Sequence, residues 1–101
     1  MIKLIVLYNH PDDPQAFDDH YFTTHVALAR QIPQLRRLEV AKLETVRGGG
    51  DPPYHAIAEL LYDDEEAMAA AAESPEYQRA LADQPNFNTG GSIAWVCRVV
   101  E

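Results

Sequence analysis

An α+β fold of ferredoxin-like plan, β-α-β-β-α-β, follows from three observations on the sequence. Four short runs rich in apolar and β-branched residues are spaced along the chain. A helical stretch lies between the first and second runs and another between the third and fourth, whereas the loop RGGGDPP joins the middle pair. Each helical stretch carries an N-terminal signal and ends at a breaker. The expected product is a four-stranded antiparallel sheet with two helices on one face.

The first strand is IKLIVLY, Ile2 to Tyr8, apolar on both faces and ended by Asn-His-Pro. Pro14 suits the first position of a helix, with Asp13 as its N-cap, and Pro33 forbids continuation. LRRLEVAKLETV is the second strand, with Leu38 and Val40 on one face and Arg37 and Glu39 on the other. YHAIAELLY, Tyr54 to Tyr62, is the third, again apolar on both faces. Asp63 and Glu66 have capping-box spacing and open an alanine-rich helix, which Ser74-Pro75 breaks and restarts. QPNFNTGG is a turn-rich loop, and SIAWVCRVV is the last strand. Right-handed crossovers order the strands 4-1-3-2, with strands 1 and 2 antiparallel to 3 and 4. A sheet apolar on both faces needs cover on both, so a homodimer is expected, each copy covering the other's bare face.

The 101 residues make a single domain, 1–101. Asp and Glu number 16 against 8 Lys and Arg, a net charge of -8, and the basic residues form no stripe. Such a surface repels phosphate, which argues against nucleic acid and anionic membranes as partners. The single cysteine, Cys97, excludes an internal disulfide and fits a cytoplasmic location. The apolar opening run is only a strand's length and Lys3 interrupts it, so it reads as neither signal peptide nor membrane span.

The stretch FDDHYFTTHVALARQIP holds two histidines among aromatic and apolar residues. At ~100° per residue, Phe17, Tyr21, Thr24, Leu28 and Ile32 fall in a stripe about 80° wide. His25 then sits on one edge and His20 on the other, ~140° apart, too far to hold one ion. Zinc on a helix wants ligands at i and i+4, and no cysteine pair or histidine–carboxylate triad appears at metal spacing, so no metal is expected. His20 reads as a surface residue. His25 has two readings: a core histidine bonded to a carbonyl, or a partly desolvated imidazole kept neutral and suited to act as a general base. His55 should lie near His10 at the start of the third strand. Glu59, inside an apolar strand, needs either a pairing partner or a polar cavity. Tyr8, Tyr54, Tyr62, Phe87 and Trp95 are core residues that together could line a cavity for a flat apolar ligand. The loops after strand 1, at 47–53 and at 83–91 should meet at one sheet edge, bringing His10, Arg47, Asp51, Asn86 and Asn88 close.

Four segments carry a resemblance: MIKLIVLY, FDDHYFTTHVALARQIPQLRR, YHAIAELLYDDEEAMAAAAESPEYQRALAD and PNFNTGG. Over nearly the whole chain they resemble the EthD-like proteins of the dimeric α/β-barrel superfamily. The resemblance implies a ferredoxin-like monomer whose sheet packs on that of a second copy. It maps the family's recurring histidine onto His25 and implies proton transfer on cyclic or polyketide substrates, as in related enzymes. Two departures stand out: Ala27 where the family commonly has proline, and Gln34 where it commonly has glycine. The oxidoreductase label often given to the family finds no nicotinamide or flavin fingerprint here, because RGGGD joins two strands and cannot cradle a phosphate at a helix start. The expected function is a small cofactor-free enzyme or pocket protein handling an apolar cyclic or aromatic metabolite. His25 would be the catalytic proton acceptor, and Tyr8, Tyr21, His55, Glu59, Phe87 and Trp95 would bind substrate. The alternatives are a non-catalytic binding protein of a degradation pathway, or an EthD-type oxidoreductase or haem-binding protein.

Overall fold

A computed structural model describes residues 1–101. Strands β1 (Ile2–Tyr8), β2 (Arg37–Lys42), β3 (Ala56–Tyr62) and β4 (Ser92–Arg98) form one sheet of order β2-β3-β1-β4. All three pairings are antiparallel, so the expected order and directions hold. Between β1 and β2 the chain forms α1 (Pro14–His20), a π-turn (Tyr21–His25) and α2 (Val26–Ala29). Between β3 and β4 it forms α3 (Glu65–Ala72), α4 (Pro75–Asp83) and a 3₁₀ turn (Gln84–Asn86).

The caps follow local chemistry. Asp13 accepts from the amide of Ala16, with Pro14 beginning α1, and Ser74 accepts from Tyr77, with Pro75 beginning α4. At α3 the cap is Asp64, accepting from Ala67, and the expected Asp63–Glu66 box does not form. Asp63 instead faces Arg36 at 3.4 Å, since β3 runs to Tyr62 and leaves Asp63 in the turn. Gln34 has φ 68, a left-handed conformation in which a glycine would carry no Cβ penalty. At Gly90 a Cβ would meet the carbonyl oxygen of His10 at 2.4 Å, so only glycine lets these two loops close.

Strand parity sorts the core. Ile2, Tyr8, Ala56, Ala58, Leu60 and Tyr62 point to the helices and are buried. The register sets Ile5 opposite both Glu59 and Trp95, which places these three on the other face with Lys3, Leu7, Ile57 and Ile93. That face has no helix over it: Trp95 is 53% exposed and Ile93 40%. Its polar members are paired, Lys3 with Glu59 at 3.1 Å and Arg37 with Glu39.

The helix between β1 and β2 departs from the periodic expectation. The amide of Val26 bonds the carbonyl of Tyr21, five residues back, instead of that of Phe22. The extra residue in this turn rotates everything after it. Thr24, expected inward, is exposed, and His25 and Val26 are buried alongside Phe17, Tyr21, Ala29 and Ile32. His25 therefore moves from the edge of the apolar stripe into it.

Candidate active site

A cavity of about 500 Å³, its open mouth included, lies between the helices and the covered face of the sheet. Most of its wall is aliphatic, from residues such as Leu4, Val6, Val40 and Leu60. Polar groups enter at Tyr8, Tyr21, His25, Tyr77 and Gln84, and no Lys, Arg, Asp or Glu lines it. An apolar container with a few polar groups is the common form of a small-molecule site.

His25 is 6% exposed and stacks on Tyr21, with ring centroids 5.4 Å apart. Its Nδ1 lies 3.0 Å from Oδ2 of Asp83, the last residue of α4, itself 7% exposed. Burial pushes the Asp83 carboxyl up, but hydrogen bonds from Asn86, His20 and His25, aided by the charge of His20, outweigh it and hold the carboxyl below its ordinary value. Asp83 is thus ionised near neutrality and can only accept, so the Nδ1–H of His25 must donate to it. The opposite nitrogen, Nε2, then carries the lone pair. Desolvation pushes the His25 imidazole down, partly opposed by Asp83. It is neutral at pH 7.

His20 was expected on the surface, ~140° from His25 by α-helical spacing. It is instead half-buried and donates from Nε2 to both Asp83 oxygens, at 2.8 and 3.0 Å. The π-turn is the cause, since five-residue bonding stacks positions 20 and 25 on one side. Asn86 adds a donor to Oδ1 at 2.9 Å, so one carboxylate gathers three side chains. Direct bonding within this group leaves no gap for an ion, and no group of three or more His, Cys, Asp or Glu is placed to hold one.

Of the other expected site residues, Tyr8 and Tyr21 line the cavity with His25. Burial, first of all, pushes the pKa of both phenols up, and the two interact with each other, Tyr8 also with Gln84. They remain neutral donors. Phe87 does not border the cavity; it backs the site, 4.5 Å from the ring of His25 and 5.1 Å from that of Tyr21. His55 lies on the far side of Phe17, 4.8 Å from that ring, and bonds Asp18 at 2.7 Å. As expected it neighbours His10, at 6.1 Å between rings. Glu59 and Trp95 occupy the open face, separated from the cavity by the thickness of the sheet. The residues that sequence reasoning missed are Asp83, His20 and Gln84. Of the loop residues expected to converge, His10 bonds the carbonyl of Pro52, while Asn86 turns inward to Asp83 and Asn88 bonds Gln84 and Ser92.

An open-faced antiparallel sheet, a cavity under its helices and a carboxylate-held imidazole at the cavity wall define a ferredoxin-like α+β protein with an internal pocket. The EthD domain model matches residues 9–91, and the chain belongs to that family. An EthD family protein of Bacillus halodurans has a crystal structure that superposes with TM-score 0.91 at 34% identity, covering 99% of both chains. An uncharacterized 11.0 kDa protein of Rhodococcus erythropolis, from the thcB-thcC intergenic region, is 41% identical over 91 residues, 90% of this chain and 87% of its own. SnoaB of Streptomyces nogalater, a cofactor-independent oxygenase, shares the fold at 14% identity and TM-score 0.71, over 99% of this chain and 93% of its own. No helix is long and apolar enough to cross a membrane.

Proposed function

We propose that the protein is a small enzyme that takes a proton from an apolar cyclic or aromatic metabolite, with Nε2 of His25 as the base. One observation carries this reading. His25 is the only imidazole on the apolar cavity, and Asp83 fixes its Nδ1–H tautomer so that the lone pair is available. The neutral phenols of Tyr8 and Tyr21 can donate to an oxygen on which charge develops as the proton leaves. The aliphatic wall favours a ring system over a charged substrate. The shared fold with a cofactor-independent oxygenase is consistent with chemistry that uses no resident cofactor.

Hydrogen–deuterium exchange at the acidic C–H of cyclic and aryl ketones such as 2-tetralone, followed by NMR, tests the reading. The protein should accelerate exchange for members of such a panel, and His25→Gln should slow it about 100-fold or more, the usual worth of a positioned base. Binding of the same ketones should survive the substitution. Ketones that bind with no acceleration of exchange would make this a non-catalytic binding protein.

In the same reading a second copy covers the open face. Ile5, Leu7, Ile57, Ile93 and Trp95 form an apolar surface there, and the ion pairs Lys3–Glu59 and Arg37–Glu39 satisfy its charges within one copy. Light scattering should give a dimer mass, and Trp95→Glu, which would bury two new unpaired carboxylates at that face, should give a monomer. A dimer unaffected by Trp95→Glu would move the interface elsewhere.

A further inference from the structure

We infer that His20 is a positioning residue for His25: by sharing the Asp83 carboxylate it takes the first proton on acidification and so keeps His25 in the neutral, proton-accepting form. The inference rests on the reading of His25 as a proton acceptor, but its test needs no turnover.

Three features of the geometry support it. The carboxylate of Asp83 lies between the two rings, with His20 Nε2 at 2.8 and 3.0 Å and His25 Nδ1 at 3.0 Å. The rings differ in access: the His20 side chain is 28% exposed, that of His25 only 7%, so an imidazolium is better solvated at His20. The shared contact depends on the π-turn, because α-helical bonding would carry the two side chains apart.

The electrostatics then follow in order. Both rings bond the Asp83 carboxylate. The more exposed ring gains a proton first, forming an ion pair with the carboxylate. A second imidazolium on the same carboxylate is disfavoured by the first, so the two rings titrate as a coupled pair with separated midpoints. The proton of His20 repels one on His25, adding to the effect of burial. No other group competes for this role. The remaining ionisable side chains on the cavity are the phenols of Tyr8, Tyr21 and Tyr77. From α4 and the turn after it, the groups that face the pair are Asp83 itself and the neutral amides of Gln84 and Asn86. On α1, Asp18 is committed to Lys42 and His55, and Asp19 is exposed to solvent.

Titration of the histidine ring nitrogens by ¹⁵N NMR tests this directly. In the native protein His20 should protonate at higher pH than His25, with His25 held as the Nδ1–H tautomer. His20→Gln keeps an N–H donor for Asp83 but cannot become charged. In that variant the His25 midpoint should rise by about 0.5–1 pH unit while the tautomer is retained. His20→Ala, should the Gln variant pack poorly, must also raise the midpoint. A His25 midpoint unmoved in both variants, or His25 protonating before His20, would overturn the inference and reduce His20 to a packing residue. Loss of the exchange activity of the protein as a whole would bear on the proposed reaction and leave this titration unaffected.

Discussion

Phe17→Ala should lower the free energy of unfolding by about 3–5 kcal/mol, measured by urea denaturation. The ring is 2% exposed and belongs to the main core cluster. It packs against four other rings: Tyr8 at 5.6 Å, Tyr21 at 5.0 Å, His55 at 4.8 Å and Phe87 at 5.4 Å between centroids. Aromatic neighbours cannot collapse into the space as aliphatic ones do, because two stiff torsions hold each ring. The loss should also reach the site. Phe17 stacks on Tyr21, which stacks on His25, so removal loosens the support of the imidazole. A cost under ~1.5 kcal/mol would be of the size found for volume-conserving swaps and would mean that the cluster repacks.

The sequence made the sheet legible because strand order, direction and the two proline-led helix starts each depend on local chemistry. Asp13 and Ser74 cap as their spacing requires. The bare sheet face was legible for the same reason, from strands apolar on both sides. Runs of that kind carry no parity signal, however. Ile-Ala-Glu-Leu-Leu reads alike in either register, and only pairing with β1 sends Glu59 and Trp95 to the face opposite the cavity. The tandem acids at 63 and 64 posed a similar ambiguity. Both have a helical residue three positions on, and the end of β3 decided for Asp64.

The histidines were misplaced by a single assumption, that the helix keeps ~100° per residue. One five-residue turn is enough to move His25 inward, Thr24 outward and His20 onto the same carboxylate. The trace available beforehand was the pair of histidines five apart, the repeat of a π-turn. Asp83 had no such trace. It is one of 16 acidic residues, and nothing near it in the chain marks it as the partner of residues about sixty positions away. Long-range closure of α4 against the π-turn creates the site, and local pattern cannot report that.

Asp83→Ala should damage this site in both stability and activity. It leaves the donors of His20, His25 and Asn86 without their acceptor. Stranding buried or half-buried donors costs roughly 1–3 kcal/mol each, discounted where water reaches His20 and Asn86, so about 3–5 kcal/mol in all is expected at pH 7. With nothing holding Nδ1–H, the imidazole loses its fixed tautomer, and the exchange activity assigned to His25 should fall by about 10²–10⁴. The pH dependence separates this from simple loss of packing. In the native protein the Asp83 carboxyl lies below its unfolded value, so its contribution is present above the ordinary carboxylate range and is lost as pH falls through the folded value. His25 also lies below its unfolded value, so between that value and the folded one the unfolded chain binds the proton better, and stability declines as pH falls. Both act in the same direction on acidification. Without Asp83 the first of these losses disappears, while His25, deprived of the group that raised it, resists protonation to still lower pH. The variant should therefore lose stability over a wider window below neutrality, and then show no further step through the carboxylate range that is due to residue 83. Urea midpoints of both proteins from pH 7.5 to 4 would show it. Two parallel curves, offset by a constant, would mean that Asp83 only packs.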